Sequence, residues 1–190
     1  EVVLEEGDII NIPTGIFRGF ENIGLDYGMI MAVLGGDDAG GGVTWAPQVI
    51  QDAAEHGLIL GDNGKLYDSK KGQKLPKDVV PMPILSDEKL SEMPEPAAIN
   101  VIPRHVARYL DLMGLAGKSP VKVIGEDAIL PDKPGFEMDF ITRGSLHNEV
   151  LTFKDSIVLM PMRGHWLLKW ENHTVTLNPG DTCILPAGFS

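Results

Sequence analysis

Gly7-Asp8-Ile9-Ile10-Asn11-Ile12-Pro13-Thr14-Gly15 near one end of the chain and Gly180-Asp181-Thr182-Cys183-Ile184-Leu185-Pro186-Ala187-Gly188 near the other share one pattern: Gly-Asp, four residues, then Pro-x-Gly. In each copy a turn leads into a short apolar run and a second turn closes it, the way neighbouring barrel strands are joined. Outward from the first copy, the chain continues as IFRGFEN (16–22) and GMIMAVL (28–34). Short β-rich runs at roughly eight to twelve residue spacing predict a sandwich or barrel.

Strand-like runs return after residue 105: VARYLDLM, VKVIG, FEMDFITRG, SIVLMPMRG, HWLLKWENHTVTL and DTCILPAG. Glu171-Asn172 marks a tight hairpin connection, though without the glycine such turns favour. Asn178-Pro179-Gly180-Asp181 reads as a turn. Between the two β-rich regions, GGDDAGGG (35–42) reads as a connector, since its two aspartates would repel phosphate and no Lys-Ser/Thr follows. Pro47 suits the first position of a helix near 47–56, ended by Gly57. From Gly61 to Pro103 the chain is rich in Lys, Asp, Gly and Pro and reads as a linker, with Ser86 as N-cap of at most one short helix.

The chain has 190 residues, 43% hydrophobic and 23% charged, the composition of an ordinary globular chain. No apolar stretch reaches the roughly 18 residues of a membrane span. The acidic opening EVVLEEGDII is unlike a secretory signal. The single cysteine, Cys183, forbids an intrachain disulfide and fits a reducing compartment, so a cytoplasmic location is expected. A net charge of −11 argues against nucleic acid as a partner. Eleven acidic residues against Arg18 and Lys65 leave residues 1 to 65 at −9, an acidic solvated face.

The repeat, with Asn22 after the first copy, resembles the second conserved motif of the cupin superfamily, in which Gly, five residues, Pro, one residue, Gly, two residues, His, three residues and Asn follow in order. Gly7, Pro13, Gly15 and Asn22 match, as do Gly180, Pro186 and Gly188. The resemblance covers residues 1–34 and about 119–190. It implies the middle of a tandem (bicupin) protein: closing strands of a first barrel over 1–36, a linker over 37–105 with a helix near 47–56, and opening strands of a second barrel over 106–190. The fold so implied is all-β dominated, a cupin double-stranded β-helix or jelly-roll barrel, with a long irregular linker and one or two short helices.

Tandem cupins are commonly metal-dependent enzymes, with ring-cleaving dioxygenases of aromatic or carboxylated compounds prominent and a divalent metal such as Fe the family default. This chain departs from that pattern. Arg18 stands where the family places a metal-binding histidine. With Gly164 as the closing glycine of the first cupin motif, Ile157 falls on the glutamate position. Val150 and Thr152, or Leu151 and Phe153, fall on the histidine positions. None of these supplies the imidazole or carboxylate donor that a transition metal requires, so no cofactor is predicted from this chain. His147 and Glu149 lie nearby and would serve only through a local insertion. Two functions therefore stay open: a degenerate dioxygenase-like enzyme, or a metal-free barrel acting as a small-molecule binding or scaffold module.

The residues proposed to bind substrate are Arg18, Met160, Met162 and Trp166. At the matched position Arg18 is expected inside the barrel, held by Glu21 or a glutamate on a neighbouring strand, or holding a carboxylate ligand. Met160, Met162, Trp166, Leu168 and Trp170 alternate along adjacent strands, either as barrel filling or as an apolar pocket lining. Cys183 reads as an inert core residue. The partners expected are a small-molecule ligand, by Arg18 a carboxylate, and a second chain exchanging strands to complete each half-barrel. Neither nucleic acid nor membrane is expected as a partner.

Overall fold

The computed structural model describes residues 1–13, 15–33, 44–130, 135–146 and 150–189. The connector at 35–42, and His147 and Glu149, lie outside the described residues. The chain divides into two units: one of Glu1–Val2, Ile10–Val106 and Ile124–Glu137, the other of Val3–Ile9, Ala107–Val123 and Met138–Ser190.

The first unit is built from local elements. α1 (Pro47–Glu55) starts on a proline, whose missing N–H costs nothing there. It gives way to Gly57, at φ 81, whose amide donates to the Ala54 carbonyl at 2.9 Å. β2 (Leu58–Leu60) then pairs antiparallel with β3 (Leu66–Asp68). Asp68 ends that hairpin and accepts from the amides of Lys70 and Lys71, capping a 3-10 turn over Ser69–Lys71. α2 (Asp87–Ser91) is capped by the Ser86 hydroxyl, and α3 (Ala98–His105) buries Val101. Among the described residues the stretch 61–103 thus holds β3, the 3-10 turn, α2 and the start of α3, where at most one short helix was expected. Asp68 and Ser86 cap two of them, while α3 has no side-chain cap.

The second unit contains α4 (Tyr109–Leu115), which buries Leu112 completely, and β5 (Val121–Ile124) paired with β6 (Met138–Phe140). A 3-10 turn over Arg143–Ser145 is closed by reciprocal Thr142 and Ser145 hydrogen bonds, with Ser145 buried. β7 (Ile157–Leu159) pairs antiparallel with β10 (Cys183–Leu185). That ribbon extends past both strands, through Gly180 N–H to the Pro161 carbonyl (2.9 Å) and Gly188 N–H to the Phe153 carbonyl (2.8 Å). β8 (Trp166–Trp170) and β9 (His173–Leu177) form a hairpin in which Trp170 faces His173 across two turn residues. Ala107, Val123, Phe140, Leu177 and Leu185 join Leu112 and Ala116 in the unit's buried apolar set. The remaining pair, β1 (Ile9–Ile10) with β4 (Val106–Ala107), consists of two-residue strands through which the division between the units passes.

The all-β cupin barrel is not what forms. The described residues are mixed, about 20% helix and 21% strand, with only two-stranded sheets and no closed barrel among them. Closure requires every strand to find two neighbours at a consistent stagger, and strands of two to five residues in isolated pairs leave each with one. Three expected strand runs also change. VARYLDLM keeps only Val106–Ala107 as strand and continues into α4, since Leu and Met favour a helix once its first amides find an acceptor. Residues 16–33 form no strand at all.

The repeat itself is reproduced locally. In the first copy Glu5 N–H donates to the Asp8 carboxylate (3.0 Å) while Asp8 N–H donates to the Glu5 carbonyl (3.0 Å). In the second, Asn178 N–H donates to Asp181 Oδ2 (2.7 Å) and Asp181 N–H to the Asn178 carbonyl (3.0 Å). Between each pair sits a glycine of positive φ, Gly7 at 91° and Gly180 at 85°. The Pro-x-Gly turns likewise end on Gly15 at 83° and Gly188 at 78°. A left-handed residue is strained for any side chain with a Cβ, which is why glycine occupies all four places.

Candidate functional site

A buried polar constellation forms around Asp8 in the second unit. Its side chain is 2% exposed and accepts from the amides of Tyr109 (2.9 Å) and Glu5 (3.0 Å) and from the Arg108 guanidinium. Burial raises the pKa of this carboxyl. The Tyr109 and Glu5 amides and Arg108 outweigh that effect and hold it below its ordinary 3.8. Arg108 also donates to the Val3 carbonyl at 3.0 Å. Because Tyr109 is the first residue of α4, Asp8 supplies from a distant part of the sequence the acceptor and negative charge that a helix N-terminus favours.

Next to this pair the Tyr109 ring lies between an edge contact with Phe140 (centroids 5.9 Å apart, planes at 82°) and the Arg163 guanidinium, 4.5 Å from its centroid. Arg163 reaches Glu6 at 3.2 Å, an exposed ion pair. Gly7 packs so closely on Tyr109 that a Cβ there would stand 2.6 Å from the ring, with Met162 on its other side at 3.2 Å. Asp8 is paired with Arg108 and Glu6 with Arg163, and the arrangement fastens residues 3–8 to residues 108–109.

Two of the sequence-predicted residues belong near this cluster. Met162 is half-buried against Gly7, and Trp166 is half-buried at the start of β8 with its indole N–H donating to the Arg163 carbonyl at 3.0 Å. Met160, half-buried, follows β7 directly. Along β8, Trp166, Leu168 and Trp170 are half-buried while Leu167 and Lys169 are exposed, the alternation of a strand with one covered face. Trp170 stacks on His173 across the hairpin (5.3 Å, 14°) and meets Phe189 at 5.9 Å. Arg18 lies in the other unit and is exposed, without hydrogen bond or ion pair among the described residues. The expected burial of its guanidinium against a carboxylate is corrected accordingly: with no barrel there is no interior for it to enter. Cys183, expected in the core, is half-buried in β10.

Among the described residues no three His, Cys, Asp or Glu side chains are grouped to hold a metal ion. The four described histidines engage separate neighbours: His56 the Asp52 carbonyl, His105 the Asn11 carbonyl, His165 the Asn178 side chain, His173 Trp170. A depression of about 250 Å³ is lined by Gly125, Glu126, Gly135, Phe136 and Glu137, and by none of the predicted site residues. Among the described residues no helix is long and apolar enough to cross a membrane. Asp8, Arg108, Tyr109 and Arg163 are not singled out by sequence reasoning. The signal for Asp8 is present, however, in the Gly-Asp repeat, whose aspartate ties back to the residue three before it in both copies. Compared with known proteins, the chain matches no family model, no curated protein and no solved structure.

Proposed function

We propose that this chain is a scaffold-type binding module that acts by presenting apolar strand surface to a partner. One observation carries the reading: 27 large apolar side chains are exposed among the described residues, against eleven buried apolar ones. Apolar surface on this scale marks a protein interaction face. The exposed residues lie on sequence with high strand propensity, including Phe17, Phe20, Tyr27, Ile30 and Val33, where added strands would bury them.

The reading is tested by solution mass across a concentration series, together with binding of a fluorescent apolar dye. A species heavier than one chain, with dye binding that rises as it dissociates, is the expected result. A chain that stays at 20.6 kDa at every concentration and binds no dye would remove the reading.

A further inference from the structure

Resting on that scaffold reading, we infer that the partner is a second copy of this chain, and that the contact is an antiparallel, two-fold pairing of residues 27–33 centred on Ile30. Tyr27-Gly28-Met29-Ile30-Met31-Ala32-Val33 carries no charge in a chain of net −11. Two such chains repel each other, and their approach is cheapest where neither brings charge. The segment is also bare. Tyr27, Met29, Ile30, Met31 and Val33 are 41 to 87% exposed. Residues 28–33 make no hydrogen bond among the described residues, which leaves a row of backbone donors and acceptors open to a strand.

Self-complementarity selects the copy as occupant. Pairing about Ile30 sets Tyr27 opposite Val33 and Met29 opposite Met31, so one face carries large apolar side chains on both strands. The other face sets Gly28 opposite Ala32 and Ile30 opposite its own copy. Side-chain period two makes both faces consistent in this register, and a shift of one residue in the pairing breaks the match of large with large. The large side chains of the two strands then lie side by side on one face, Tyr27 beside Val33 and Met29 beside Met31, in the cross-strand contacts that stabilise a sheet. The pairing is isologous, the same segment contributing from both copies.

Directly opposed residues of an antiparallel pair lie about 4.5 to 5.5 Å apart at Cα, within disulfide reach. In the full chain carrying Cys183→Ala, Ile30→Cys should therefore form a covalent dimer under mild oxidation. Tyr27→Cys alone should not, and Tyr27→Cys with Val33→Cys should. Met29→Lys with Met31→Lys should raise the dimer dissociation constant at least tenfold while far-UV circular dichroism stays unchanged. Ile30→Cys coupling no faster than Val80→Cys, an exposed control, would overturn the pairing. So would a dimer whose mass ignores the two lysines, although the scaffold reading would then stand on some other surface. A wild-type chain that is monomeric throughout overturns the pairing, and dye binding by that monomer would keep the scaffold reading with a different protein or segment as partner.

Discussion

Asp8 holds together parts of the chain a hundred residues apart, and its carboxylate has no solvent to fall back on. Removing it with Asp8→Ala leaves the Arg108 guanidinium and the Tyr109 amide without their acceptor. Arg108 is 32% exposed, so the cost falls below that of a fully buried pair, at about 2 to 3 kcal/mol, read from urea denaturation. The pH dependence follows from a folded pKa below the unfolded one. The stabilisation is complete above the unfolded value of about 3.9 and is lost as the pH falls through the folded value. Denaturation midpoints should therefore drop on acidification below about pH 4 in the wild type, with a shallower fall in Asp8→Asn. Arg18 makes a contrast: exposed and unpaired among the described residues, it should tolerate Arg18→Leu within about 0.5 kcal/mol. A small aromatic carboxylate that raises the midpoint of the Arg18 form alone would make it a ligand contact.

Turns decide the elements, and their glycines are not equivalent. Gly7 and Gly15 both have positive φ, but a Cβ on Gly7 would collide with the Tyr109 ring while one on Gly15 meets nothing within 4 Å. Gly15→Ala should cost about 1 to 2 kcal/mol from conformation alone, and Gly7→Ala clearly more, as thermal or chemical midpoints would show. At the β8–β9 turn the residue with positive φ is Glu171, at 48°, where glycine would be unstrained. Glu171→Gly is expected to raise stability by up to about 1 kcal/mol. No gain, or a loss, would mean that the unfolded chain's added freedom cancels the relief. The helix near 47–56 and the hairpin around Glu171-Asn172 were legible because their signals are local, a proline start and glycine end in one and two apolar strands in the other. α4 was not, since its N-terminal acceptor comes from Asp8, and the VARYLDLM run carries no cap of its own.

The second unit is discontinuous in sequence, and Val3–Ile9 belongs to it with Ala107–Val123 and Met138–Ser190. A chain lacking residues 1–9 therefore loses the Asp8 acceptor and the Gly7 packing, and should show faster amide exchange in α4 than the full chain. Unchanged protection over Tyr109–Leu115 would show that α4 stands without that segment. The composition and charge of the chain, its Gly-Asp and Pro-x-Gly turns and its exposed apolar runs can be read from order along the sequence, because each rests on a residue's own backbone freedom, polarity or near neighbours. Barrel closure, the place of Arg18 and the start of α4 cannot. They depend on which distant segment supplies a strand neighbour, an interior or an acceptor, and only the tertiary structure decides that, because the sequence carries no measure of what comes to lie beside Asp8 or fails to lie beside Arg18.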